Sequence, residues 1–339
     1  MSAVPSWVAE DEAPYTQLAH AALALWDLQH VGLQLIKIRE NAVYLVNCEG
    51  DRKAILRVHR HGYHSDAALR SESEWTCALD AAGLRVPRAI ASRRGQSFER
   101  VQAPGVQGER QVDVLEFVEG RQLGSVEGGV TGDAAHITRQ YNIIGQTAAR
   151  MHNHASQWQP GEGFLRHSWC AQGLAGDQPL WGRFWELEAL TDAQRLLLAT
   201  TRHALRHDLD ALPRDANSFG LIHADLVPEN LLAHGDEVHV IDFDDAGYGW
   251  HLFDLATSLY FLMQQPYFEM AKRALIGGYR KVRPLSDEDV ARLPMFLAAR
   301  GTTYLGWVHE RKHTQTAKEL TPMLVELACA AANDYLRGE

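Results

Sequence analysis

The segment Leu221-Ile222-His223-Ala224-Asp225-Leu226-Val227-Pro228-Glu229-Asn230-Leu231-Leu232 constrains this chain more than any other. It contains H-x-D-x4-N, and Ile241-Asp242-Phe243-Asp244-Asp245 follows shortly after. Between the two, Leu231-Leu232 and the alternating run from Glu237 to Phe243 read as strands, and His234-Gly235-Asp236 reads as the turn joining them. The pattern is a β-hairpin. Residues 230 and 242 are equidistant from a turn centred on residue 236, so the spacing predicts that they face each other across the ladder, with Cβ atoms about 5 Å apart. An amide oxygen and a carboxylate then converge at one end of the hairpin, just after the loop that carries Asp225. Hard oxygen donors of this kind are what Mg²⁺ takes alongside substrate phosphates. The order of residues is that of a phosphoryl-transfer site. One Asp accepts the proton of the attacking hydroxyl or orients it, and an Asn and a second Asp hold the metal ions that bridge the β- and γ-phosphates of ATP.

The rest of the chain falls into two parts. Leu18 to Leu28 reads as a helix, followed by strands at Leu33 to Glu40, Ala42 to Cys48 and Ala54 to Val58. Ser65 to Ala82 reads as a helix with Ala68, Trp75, Leu79 and Ala82 on one stripe at 3.6 residues per turn. Glu72 lies inside that stripe, where a carboxylate is unfavourable unless it meets a cation. Val86-Pro87 opens a further β region, and Val112 to Val118 is a strand that Glu119-Gly120 breaks. Beyond a Gly-rich stretch at Ser125 to Gly132, helical patterns dominate, with helices expected at about 133–155 and 184–211. The expected domains are 1–119 and 120–339.

Composition removes several classes. Lys and Arg number 33 against 43 Asp and Glu, a net charge of −10, so the chain is a poor partner for nucleic acid or an anionic membrane. No apolar run approaches the roughly 18 residues of a membrane span. The start of the chain shows no signal-peptide pattern. The four cysteines, Cys48, Cys77, Cys170 and Cys329, are too scattered for a zinc site or a disulfide scaffold and point to a reducing, cytoplasmic setting.

With His223-Ala224-Asp225, Asn230 and Asp242-Phe243-Asp244 in hand, the sequence resembles the aminoglycoside phosphotransferase/choline kinase-like family. Asp254-Leu255-Ala256 after Asp244-Asp245-Ala246-Gly247 places it nearest in style to the homoserine-kinase-like and stress-response-kinase-like bacterial branches. The resemblance is strong over 221–257 and extends more loosely over 33–120. It implies an α+β, bilobal protein-kinase-like fold, with a small antiparallel-sheet N-lobe carrying one main helix and a larger, mostly helical C-lobe. It also implies ATP as co-substrate and Mg²⁺ as cofactor. Asp225 is then the catalytic base or orienting Asp, and Asn230 and Asp242 are metal ligands. Asp244 is the second acidic residue near metal or substrate, His223 braces the catalytic loop, and Asp254 ties that loop down from a helix start. Ala54-Ile55-Leu56-Arg57-Val58 sits where kinases carry V-A-I-K, so Arg57 takes the lysine's place on the phosphates with Glu72 as its ion-pair partner. The family resemblance extends to a glycine-poor phosphate loop near Asn41 and a hinge at Leu115 to Gly120, with backbone groups of Glu116 and Val118 on adenine.

Two further groups have plainer readings. His152 and His154 end a helix and are structural, and the cluster Trp158, Trp169, Trp181 and Trp185 reads as core. Tyr248, Trp250, Tyr304 and Trp307 are candidates for an acceptor pocket. The expected reaction moves the γ-phosphate of ATP to a hydroxyl of a small molecule, an amino alcohol or hydroxy-amino acid. A Ser/Thr protein kinase of the stress-response type is the alternative. The stretch of about ten residues between Asp242 and Asp254 is short for a peptide-docking loop and favours the small acceptor. A non-catalytic nucleotide-binding pseudokinase would be expected to lack the base or a metal ligand, and here all are present.

Overall fold

The computed structural model describes residues 12–38, 41–125, 129–130, 132–235 and 237–338. The chain divides into two compact units, Met1–Glu119 with Pro160–Leu165, and Gly120–Gln159 with Arg166–Glu339.

The first unit runs α1 (Glu12–Leu23), β1 (His30–Ile38), β2 (Ala42–Cys48), β3 (Lys53–Val58), α2 (Asp66–Ala81), β4 (Phe98–Val101) and β5 (Arg110–Glu116). The strands form one antiparallel sheet in the order β1-β2-β3-β5-β4. Alternation decides its faces. Tyr44, Val46, Leu56, Val112 and Val114 enter one apolar core with Leu18, Ala22 and Trp26. The residues between them, Val43, Leu45, Arg57 and Asp113, take the opposite face. Ser65 caps α2, its Oγ accepting from the Ala68 N–H at 3.2 Å, a contact worth about 1 kcal/mol. The expected helix at 65–82 is this one. α1 instead lies earlier than the expected 18–28, because the apolar run up to Leu28 is used in the core while the helical turns end at Leu23. Val86-Pro87 opens no strand, since Pro87 supplies no N–H to a ladder. Only an isolated bridge from Ala89 to Leu115 is made there.

The second unit runs β6 (Arg121–Gln122), β7 (Gly124–Ser125), β8 (Gly129–Val130), α3 (Ala134–Gln157), β9 (Ser168–Trp169), α4 (Ala171–Ala175), α5 (Asp192–Ala211), β10 (Phe219–Ile222), β11 (Leu231–His234), β12 (Glu237–Val240), β13 (Gly247–Trp250), α6 (His251–Leu259), α7 (Phe268–Arg280), α8 (Asp287–Ala291), α9 (Leu293–Glu310) and α10 (Gln315–Arg337). The β11–β12 hairpin is present, with one correction to its register. Leu231 pairs with Val240 and His234 with Glu237, so the turn holds two residues and Asn230 lies opposite Ile241 rather than Asp242. Gly235, at φ +60°, supplies the left-handed backbone that a two-residue turn needs. Asp236, the expected centre, lies outside the described residues. No helix among the described residues is long and apolar enough to cross a membrane.

α3 and α7 meet backbone to backbone. A Cβ on Gly145 would stand 2.0 Å from the Leu275 carbonyl oxygen, and one on Gly278 would stand 1.9 Å from that of Asn142. The crossing therefore depends on two glycines. Gly145→Ala or Gly278→Ala is expected to destabilise by about 1–3 kcal/mol through forced separation of the helices, read as a lowered urea midpoint.

Candidate active site

The second unit builds its site on the loop after β10. His223 is fully buried, and its Nδ1 accepts from the Asp225 N–H at 3.2 Å. The other ring nitrogen, Nε2, therefore carries the proton and donates to the Ile241 carbonyl at 3.0 Å. His223 thus ties the loop to the end of β12 and packs edge-on against Phe243. Ala224 holds φ +65°, a conformation that costs a non-glycine residue about 1–2 kcal/mol. Asp254, in the first turn of α6, stabilises it. Its Oδ1 accepts from the Ala224 N–H at 2.6 Å, and its Oδ2 accepts from the His223 N–H at 3.0 Å and from His152 Nε2 at 3.1 Å. Burial raises the Asp254 carboxyl to about 6, against the opposing pull of His223 and the two N–H groups. Burial also pushes His152 down to about 3. It stays neutral between Asp254 and the Tyr279 hydroxyl, which lies 2.9 Å from Nδ1.

Asp225 emerges from this loop with its carboxylate held on both sides. Asn230 Nδ2 donates to its Oδ2 at 2.8 Å and to its backbone carbonyl at 3.0 Å. Arg300 Nη2 donates to its Oδ1 and to the Tyr304 hydroxyl at 2.7 Å, and Arg300 Nη1 donates to the Ala224 carbonyl at 3.1 Å. Arg300 lies on α9, is fully buried, and has its guanidinium 4.8 Å from the Trp181 ring and 4.2 Å from the Tyr304 ring. Burial raises the Tyr304 phenol, so it stays a neutral hydroxyl beside this cation. No motif spacing points to Arg300; its only signal in the sequence is a charged residue within the apolar run from Leu293 to Leu305.

The segment after β12 is clamped from the other side. Asp242 takes φ +68°, a left-handed residue that ends the ladder. Asp244 is buried. Arg166 Nη2 donates to the carbonyls of Phe243 and Asp244 at 3.1 and 2.5 Å, and its Nε donates to that of Ala246 at 2.5 Å. Trp181 Nε1 donates to Asp245 Oδ1 at 3.2 Å, and Trp169 Nε1 donates to the Asp245 carbonyl at 2.9 Å. Arg166, like Arg300, carries no motif. Of the pocket candidates, Tyr304 stands beside Arg300, whereas Trp250 is core and donates to the Pro213 carbonyl at 3.1 Å.

In the first unit, Arg57 and Glu72 meet, with Nη2 at 2.8 Å from Oε1. A second carboxylate is present that the sequence pattern does not reveal. Asp113, directly across from Arg57 in the ladder, takes Nε at 3.0 Å and Nη2 at 2.6 Å in a bidentate pair. Burial works to raise the Asp113 carboxyl, yet the charges of Arg57 and His59 hold it well below the usual carboxylate range. Asn41 is buried, and its Oδ1 accepts from the Arg60 N–H at 3.1 Å; Arg39 and Glu40 before it lie outside the described residues. Glu116 donates its N–H to the Arg88 carbonyl at 2.8 Å. Val118 is buried.

These elements, an antiparallel sheet with one main helix and a helical unit bearing an H-x-D-x4-N loop, define a protein-kinase-like phosphotransferase. The chain belongs to the phosphotransferase enzyme family, whose profile matches residues 33–285. A solved microcompartment-associated aminopropanol kinase superposes with a TM-score of 0.82 at 30% identity, covering 95% of this chain and 98% of that one. The amicoumacin kinase hAmiN, solved in complex with AMP-PNP, Ca²⁺ and Ami, gives 0.75 at 24% identity, covering 96% and 94%. The homoserine kinase of Rhizobium rhizogenes is 32% identical over 224 residues, 64% of this chain and 61% of that protein. The α+β, kinase-like fold class and the assignment as a phosphotransferase therefore hold.

Two expectations follow from the buried carboxylates. Asp254→Ala strands three buried donors, the N–H groups of residues 223 and 224 and His152 Nε2, and at about 1–3 kcal/mol for each it should cost about 3 kcal/mol or more in urea unfolding. Asp113 has a folded pKa below its unfolded value of about 3.9. Its contribution is therefore complete above that pH, starts to fall below it, and is lost as pH falls through the depressed folded value. The stability gap between wild type and Asp113→Asn should narrow below about pH 4.

Proposed function

We propose that the protein transfers the γ-phosphoryl group of ATP, with Mg²⁺, to a hydroxyl of a small molecule, an amino alcohol or hydroxy-amino acid. One observation carries this reading: Asp225 presents an ordered carboxylate, held by Asn230 and Arg300 on a loop that Asp254 fixes. A hydroxyl hydrogen-bonded to that carboxylate is oriented for in-line attack on the γ-phosphorus; its proton passes to Asp225 as the new P–O bond forms, while the bond from that phosphorus to the β–γ bridging oxygen breaks and ADP leaves. Asn230 and Asp242 offer an amide and a carboxylate oxygen at the end of the β11–β12 hairpin, and this oxygen-only set fits Mg²⁺. The metal, when bound, neutralises charge developing on the transferred phosphoryl group and its leaving oxygen. Asp244, on the segment clamped by Arg166, is the further acidic group beside them. The Arg57–Glu72–Asp113 cluster orders the nucleotide-facing side of the first unit, with backbone groups at Asn41, Glu116 and Val118 as further nucleotide contacts.

The acceptor class is supported by aminopropanol kinase and homoserine kinase among the relatives, whose named substrates pair an amine with a hydroxyl. AMP-PNP and Ca²⁺ in the amicoumacin kinase complex support a nucleotide and a divalent ion. The four cysteines are free, in keeping with a cytoplasmic enzyme.

The test is ADP release with Mg·ATP over a panel of amino alcohols, hydroxy-amino acids, sugars, aminoglycosides and a generic protein substrate. Acceptor-dependent turnover is expected with small amino alcohols or hydroxy-amino acids. Asp225→Asn should lower it by about 10²–10⁴-fold. ATP binding without turnover on any acceptor would reject the catalytic reading. Arg300→Lys keeps the charge but loses the fork, so kcat should fall about tenfold while the KM for ATP moves by less than about twofold.

A further inference from the structure

Trp181 lies between α4 and α5, on a stretch that carries no motif, and is half-buried where the sequence pattern reads as core. Its indole meets both acidic segments of the second unit. Nε1 donates to Asp245 Oδ1 at 3.2 Å, three residues past Asp242. The ring stands 4.8 Å from the Arg300 guanidinium, which donates to Asp225 Oδ1 and to the Ala224 carbonyl. His223 joins the same two segments through their backbones, at the Ile241 carbonyl. Trp181 joins them again through the side chains that project from them.

The indole is fixed by its surroundings. α9 carries Arg300 and Tyr304, and Gly306 lets the Trp181-Gly182 backbone lie directly on that helix. A Cβ at position 306 would stand 2.6 Å from the Gly182 carbonyl oxygen and 3.0 Å from that of Trp181. Trp169 meets the Trp181 ring edge-on at 5.6 Å, stacks on Phe253 of α6, and donates its own Nε1–H to the Asp245 carbonyl. Arg300 is fully buried, so its guanidinium has lost its water. Aromatic faces compensate a desolvated guanidinium, because their negative π-surface attracts the charge and their flat shape matches the planar group. Tyr304, with its ring 4.2 Å from the guanidinium, Phe253 at 5.8 Å and Trp181 supply those faces. Trp181 is a wall of this enclosure that also holds Asp245.

We propose that Trp181 is a positioning residue for phosphoryl transfer: its ring face seats Arg300 against Asp225 while its N–H holds Asp245, so the two acidic segments keep one spacing. It acts through Arg300 and Asp245 and touches neither hydroxyl nor phosphate in this role. The proposal rests on the reading of Asp225 as the carboxylate that orients the hydroxyl, and adds the side chain that registers it against the segment from Asp242 to Asp245.

Two variants separate the two contacts. Trp181→Phe keeps a ring over Arg300 and loses the N–H, whereas Trp181→Leu loses both. Amide hydrogen exchange of the full-length, ligand-free protein, read by mass spectrometry, needs no acceptor. In Trp181→Phe, exchange should quicken at least about fivefold over residues 243–247 and stay within about twofold over 223–226. In Trp181→Leu it should quicken over both. Turnover is read with Mg·ATP and aminopropanol or homoserine, whichever the panel above accepts. Trp181→Leu should lower kcat about tenfold, with the KM for ATP and for the acceptor within about twofold, and Trp181→Phe should lose less. Gly306→Ala, which displaces the backbone and leaves the indole intact, should act like Trp181→Leu. Combining Trp181→Leu with Arg300→Lys should cost little more than the worse single change, because both act on one contact. Unchanged exchange over 223–226 in Trp181→Leu, or strict additivity with Arg300→Lys, would overturn the assignment. An acceptor KM that rises as kcat falls would make Trp181 an acceptor contact instead. The expected exchange pattern in a protein that turns over no acceptor would keep Trp181 as the link between the segments and remove the phosphotransfer reading alone.

Discussion

The buried carboxylate of Asp254 is the interaction on which the rest of the site depends. Ala224 occupies a backbone conformation that alanine resists, and the chain keeps it there because the N–H groups of residues 223 and 224 both end on Asp254. That bend aims Asp225 out of the loop. Asp254 in turn is fixed by its place in the first turn of α6 and by neutral His152, which hangs from α3 and is held by Tyr279 of α7. Three helices therefore set the angle of the Asp225 carboxylate. The mutual fit of α3 and α7, which the glycine pair makes possible, thus bears on chemistry as well as on stability.

Charge is managed the same way in both units. Arg57 is gripped by Glu72 and Asp113, and Asp225 by Asn230 and Arg300. Groups held from two sides lose rotamer freedom before any ligand arrives, so the ordering cost falls on folding rather than on binding.

Much of this was legible in the sequence because it is local. H-x-D-x4-N sits within one loop and strand start, and helical periodicity alone puts Glu72 on an apolar stripe, where a carboxylate signals a buried cation. Arg57 is that cation. What was not legible is what two distant segments decide together. Asp113 reads as one more polar residue in a strand until the ladder sets it opposite Arg57. Arg166 and Arg300 hold the active loops from 60 or more positions away, and no spacing rule connects them. The hairpin register was missed by one residue, because the count depends on whether the turn has two residues or three. The conformation of Gly235 settles that, not the hydrophobic pattern.

The contact between Arg300 and Asp225 also bears on how the chain comes to be active. It spans 75 positions, and its basic partner lies in the penultimate helix. While the chain is being made, the H-x-D-x4-N loop and its hairpin leave the ribosome well before α9 exists. Until then, one oxygen of the Asp225 carboxylate has no arginine to meet. The full grip on Asp225 is therefore a late event of folding, set by a long-range closure rather than by the local motif that announces it. A nascent chain that has not yet reached α9 holds Asp225 from one side only, through Asn230.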